Sequence, residues 1–127
     1  MKELIKVGRL VFVIGLASLA VQQFLFPGFR PVFIPAWPSW LPEPQPFVYI
    51  SSIGLLVACA FIVFNFKPKK TSLILAGFFL LFLIFFHIPY HFVNHTTSLG
   101  GWTNSFKILA FSGSAFVIAG TYGVDEL

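Results

Sequence analysis

The chain has 127 residues, enough for one domain, and is 57% hydrophobic but only 9% charged, with a mean hydropathy of +0.90. A water-soluble globule of this size has more surface than so few charges can cover, so a soluble α-helical domain is disfavoured and a membrane protein is expected. The net charge of +4 does not point to nucleic acid, because the few basic residues sit where apolar runs begin and end.

Four stretches approach the roughly 20 apolar residues needed to cross a bilayer core about 30 Å thick. The first is about 4–26, the second about 47–66, the third about 72–87, and the fourth, shorter and more polar, about 104–122. The expected fold is therefore all-α, one four-helix transmembrane bundle over residues 1–127. The N-terminus carries a rival reading. Lys2, Lys6 and Arg9, an apolar run and Ser18-Leu19-Ala20 also have the order of a cleavable signal peptide, although the apolar character continues to Phe26.

Between the first two spans lies FPGFRPVFIPAWPSWLPEPQP, which holds seven of the nine prolines. Proline lacks an N–H and fixes φ, so this segment, taken as 27–46, is expected to be an irregular flap over the helix ends. Trp37 and Trp40 suit the headgroup layer. Lys2, Lys6, Arg9, Lys67, Lys69 and Lys70 would share one side of the membrane, leaving Arg30 and Lys107 on the other. The positive-inside rule then places both termini in the cytoplasm, with the flap outside. Asp125 and Glu126 would also lie inside.

Small residues recur four apart at Gly54 and Ala58, at Ala110 and Ser114, and at Ala115 and Ala119, and the first span carries Gly15, Ala17, Ser18 and Ala20. Such residues let membrane helices approach closely. The third span, rich in Phe and Leu, is expected to face lipid more than the others. Cys59, the one cysteine, is expected to be a packing residue.

The third span ends in HIPYHFVNH, with His87, His91 and His95 four apart. Pro89 between them is expected to kink or end the helix, so the imidazoles need not share a face. No carboxylate lies nearby in sequence, which leaves His91 and His95 as weak metal ligands and better read as interfacial loop residues. His87 follows LIFF and is expected to be partly buried, where a polar ring needs a partner. Gln22 and Gln23 near the end of the first span, Trp102 and Lys107 at the start of the fourth, and Trp37 in the flap could converge with it in an outward-facing polar pocket.

In order, AVQQF at 20–24, IPAWPSW at 34–40, His87 to Pro89, WTNSFK at 102–107 and a small-residue fourth span resemble the DoxX-like bacterial membrane proteins over about 8–120. Gln23 stands where relatives often have His, Tyr90 where they often have Arg, and Gly101 where they often have an acid. Some relatives carry a second four-helix half, which would make this chain a short member or one half. The resemblance implies a multi-pass protein of the bacterial inner membrane, associated with quinone-linked or other membrane redox systems. The expected function is then a subunit that binds a quinone or another hydrophobic ligand, with His87 and Gln22 or Gln23 bonding a carbonyl and Trp37 and Trp102 walling the ring. The alternative is a non-catalytic scaffold for a redox partner subunit or a homo-oligomer. Transport by the chain alone is not expected, since the middles of the spans hold no charge. Neither is an autonomous enzyme, since no Ser/His/Asp set, metal cluster or nucleotide loop is legible.

Overall fold

The computed structural model describes residues 1–94 and 97–124. His95, Asp125 and Glu126 lie outside the described residues. Among the described residues the chain is all-helical: α1 (Lys2–Leu25), α2 (Gln45–Val63), α3 (Pro68–Phe82), α4 (Ile88–Val93) and α5 (Leu99–Gly120). A π-helical turn, Leu83–His87, joins α3 to α4 without a break. The result is four rods, with the flap between the first two.

Three of the rods, Lys2–Leu25, Gln45–Val63 and Pro68–Val93, are long and apolar enough to cross a membrane. The third is the most deeply buried of the three, not the one most turned to lipid. It packs extensively on α5 and more sparingly on α2, whose main neighbour is α1. Large apolar side chains such as Val11 (63% exposed), Ile50 (68%) and Phe85 (66%) point outward. In water such a surface would drive aggregation, whereas in lipid it is the expected face.

At Pro89, where the sequence led to an expected kink or end, the third rod does not end. A proline inside a helix removes one bond and crowds the carbonyl four residues back. Here the preceding turn is widened: the Ile88 N–H bonds to the Leu83 carbonyl, five residues back. Ile88 keeps helical angles (φ −63°, ψ −51°), and the rod runs on to Val93 instead of ending at 87. Such π-turns are a known accommodation within helices and recur at functional sites.

The core is built from all four rods and the flap: Val13 and Leu16, Cys59 and Ile62, Ala76 and Phe79, Ile108 and Ala115, with Phe33 and Ile34 inserted from the flap. Phe33 stacks on Phe79 (centroids 5.9 Å apart), Phe79 meets Phe111 at 5.8 Å, and Phe111 meets Phe12 at 6.4 Å. One aromatic chain thus ties flap, α3, α5 and α1 together. Of the small-residue pairs, Ala115 and Ala119 are buried, while Ala110 and Ser114 face outward. Ser112, also buried on α5, donates to the Ala76 carbonyl at 2.8 Å.

At one end of the bundle the start of α1 meets the end of α5. The Arg9 guanidinium lies 3.8 Å from the centre of the Tyr122 ring and donates to the Thr121 carbonyl at 3.0 Å and its hydroxyl at 2.7 Å. Lys69 reaches the Gly123 carbonyl at 3.2 Å. The basic residues of the N-terminus and of the α2–α3 turn therefore share one end. That turn is tight, with Asn65 and Lys67 both at positive φ (58° and 44°).

Ala115 is fully buried where α5 packs, whereas Val117, two residues on, is 70% exposed. Overpacking a close helix contact typically costs about 1–3 kcal/mol. Ala115→Leu is expected to lower the unfolding midpoint in detergent by that order, while Val117→Leu leaves it unchanged.

Candidate ligand groove beneath the flap

A proline-rich loop has few N–H donors but a full set of carbonyl acceptors, so donors must come from side chains. Three side chains supply them. Arg30 donates to the Phe26 carbonyl at 2.9 Å and the Gly28 carbonyl at 3.2 Å. Trp37 Nε1 donates to the Pro42 carbonyl at 2.8 Å. His87, from the end of the π-turn, donates through Nε2 to the carbonyls of Val32 at 2.8 Å and Phe33 at 3.0 Å.

Carbonyls only accept, so Nε2 carries the proton. In the neutral ring Nδ1 is then the acceptor, and the Ser105 hydroxyl of α5 donates to it at 3.3 Å. The ring is fully buried and satisfied on both nitrogens. Gln23, also fully buried, plays the matching part from α1. Its amide donates to the Ser52 hydroxyl of α2 at 2.9 Å, and its carbonyl oxygen accepts the Arg30 backbone N–H at 3.3 Å. His87 and Gln23 therefore pin the flap from two sides.

The flap so held roofs an apolar groove of about 530 Å³. Phe29, Phe33 and Trp37 form its top, α2 contributes Gly54 and Ala58, and α3 contributes Phe78 and Phe79. Ser51 and Thr71 are the hydroxyl-bearing residues in its lining. Trp37 stacks on Phe29 (5.3 Å, 13° between planes) and leans on Phe47 at 5.5 Å, so its indole is fixed. The volume is in the range of small-molecule sites. Ile50 and Phe78 in its wall are 68% and 54% exposed, so the groove opens toward the apolar flank of the bundle.

The residues singled out from sequence thus separate. Gln23 and His87 stand under the flap but spend their hydrogen bonds on it, and Trp37 walls the groove. Gln22 and Lys107 are exposed and take no part in these bonds. Trp102 lies across α5 against His91, ring centroids 4.3 Å apart. His91 itself is buried on the continuous helix, 3% exposed, rather than in a loop. Among the described residues no three His, Cys, Asp or Glu side chains come together as metal ligands. Sequence reading did not find Ser52 and Ser105, the partners of the two pins. Their signal was a hydroxyl residue within an apolar helix, too common in membrane helices to stand out.

Compared with known proteins, the chain matches no family model, no curated protein and no solved structure.

Removing the His87 imidazole strands one buried and one part-buried flap carbonyl and leaves a void, together worth about 2–4 kcal/mol. His87→Ala is expected to speed hydrogen exchange at the Phe33 and Ile34 amides, which close the turn on the Arg30 carbonyl at 2.9 and 3.2 Å. The α3–α5 amides around Ala76 and Ser112 should keep their protection.

Proposed function

We propose that this chain is a multi-pass membrane protein of the DoxX-like kind that holds a hydrophobic small molecule, of the quinone class, in the groove beneath its flap. The observation that carries the reading is the groove itself: about 530 Å³, aromatic-lined and open on the flank. A quinone ring suits the aromatic walls of the groove, and an isoprenoid tail suits the gap between α2 and α3. His87 and Gln23 act as positioning residues that hold the roof. The protein would serve as a ligand-holding subunit of a membrane redox system, with no catalytic residue of its own.

In this reading α5 is the fourth span. Its polar residues Ser105 and Ser112 are spent inside the bundle, on His87 and on the Ala76 carbonyl. Its outer face carries Phe106, Leu109, Phe116 and Val117, all exposed. Both termini and the Lys67–Lys70 turn then lie on the cytoplasmic side of a bacterial inner membrane, with the flap outside. In a Cys59→Ala background, Trp40→Cys should react with an impermeant thiol reagent in intact cells, and Lys70→Cys only after lysis. The reverse pattern would invert the topology.

The ligand is tested by mass spectrometry of quinones and lipids retained in nanodiscs from native membranes. Gly54 lines the groove, and a Cβ added to it meets no atom within 4 Å, so Gly54→Phe directs a ring into that space. Near-stoichiometric quinone in the wild type, lost in Gly54→Phe, is the expected result. Quinone no richer than in bulk membrane would sink the ligand reading. A stoichiometric protein partner lost on the same substitution would make the groove a docking face and the chain a scaffold.

A further inference from the structure

The groove runs well past the flap. It is lined along α2 from Phe47 to Phe61, and along the third rod from Phe86 back to Thr71. At about 1.5 Å of rise per residue, that makes a slot roughly 20 Å long. One leaflet supplies about half of a hydrocarbon core near 30 Å, so the slot crosses the bilayer midplane. Its far half, away from the flap, is walled by Val57, Ala58, Phe61, Thr71, Ile74 and Leu75. Val57 and Ile74 are exposed on its rim, so this half too is open to lipid.

The far end reaches a cation. Phe61 meets Phe66 edge to face, ring centroids 4.9 Å apart, and the Lys67 ammonium lies 5.9 Å from the centre of the Phe66 ring. In the opposite wall, Thr71 donates its hydroxyl to the Lys67 carbonyl at 3.0 Å. Lys67 is thus tied to both walls where the slot arrives at the α2–α3 turn. Other cations at this end are already engaged. Lys69 bonds to the Gly123 carbonyl, Arg9 to Thr121, and Lys6 pairs with Glu3 at 3.0 Å. Lys67 and Lys70 are exposed, and among the described residues their ammonium groups have no hydrogen bond or ion pair. The exposed rings of Phe64 and Phe66 lie beside them in sequence and suit the headgroup layer.

An apolar slot that rises from the bilayer middle to two unpaired ammonium groups fits an amphiphile with an anionic head. We propose that the far half of the groove is a site for an anionic phospholipid, with one acyl chain in the slot and its phosphate at Lys67 and Lys70. Basic residues beside a membrane helix favour anionic headgroups. A zwitterionic lipid offers the same chain without the net charge, and a quinone offers no charge at all. The site goes beyond the quinone reading and does not depend on it. A ring beneath the flap uses the other half of the slot, and its tail leaves by the open flank.

The test uses the full chain in quinone-free phosphatidylcholine nanodiscs at fixed low ionic strength. Phosphatidylglycerol with a diazirine on one acyl chain is the probe, and phosphatidylcholine with the same chains is its comparison. Crosslinks are mapped by peptide mass spectrometry. Lys67→Gln with Lys70→Gln removes two charges from exposed side chains, which leaves the fold in place. Lys2→Gln with Lys6→Gln removes the same charge from the same end, away from the groove. The expected result is labelling around Val57, Phe61 and Ile74, several-fold stronger for phosphatidylglycerol. It should fall at least fivefold in the Lys67/Lys70 variant and hold within twofold in the Lys2/Lys6 variant. Equal labelling by the two lipids would overturn the proposal, as would label confined to residues outside the far half. So would an equal loss in the two variants, which would mark a general effect of surface charge. With no quinone present, each of these outcomes leaves the quinone reading to its own test.

Discussion

The flap's carbonyl groups need donors that its prolines cannot provide, and much of the architecture follows from how that need is met. An unsatisfied carbonyl inside an apolar bundle is costly. His87 answers two of them with one N–H and is itself steadied by Ser105 from α5. Gln23 works from α1, joining Ser52 of α2 to the backbone N–H of Arg30. Four helices are thereby tied to one irregular loop. Phe33 can then enter the core as a fixed plug, stacked on Phe79.

With the flap fixed, the groove on one side of it and a smaller cavity on the other are a consequence of its path. Its aromatic residues Phe29, Phe33 and Trp37 roof the space between α2 and α3, where helix contact is sparse. Pro31 and Pro35 face the start of α5. The apolar groove suits a membrane-borne molecule. His87 and His91, one turn apart on one rod, are held differently. The first is fully bonded and structural, and the second is stacked on Trp102 with both nitrogens buried and unbonded.

That rod depends on the π-turn at Leu83–His87. Pro89 removes a donor from the helix, and the bond from Ile88 back to Leu83 carries the chain past it. The helix continues, and both histidines point inward. Had the rod ended at the proline, His91 would have lain in a loop instead of being buried on a helix.

Composition and hydropathy alone determined that the chain is helical, membrane-suited and capped by an irregular loop. These properties are additive along the chain: twenty apolar residues suit a bilayer wherever they point, and seven prolines exclude regular structure wherever they fold. The burial of His87 was legible for the same reason, as a polar group closing an apolar run. Which acceptors it would meet was not, because Val32 and Phe33 lie more than fifty residues away and only packing brings them close. The continuation through Pro89 was hidden too, since a π-turn has no residue signature. Tertiary structure also decided that Gln23 turns inward while its neighbour Gln22 faces out, and that Trp37 walls the groove while Trp102 stacks on His91. Side-chain direction depends on helix phase and partner, and those are set by the three-dimensional contacts.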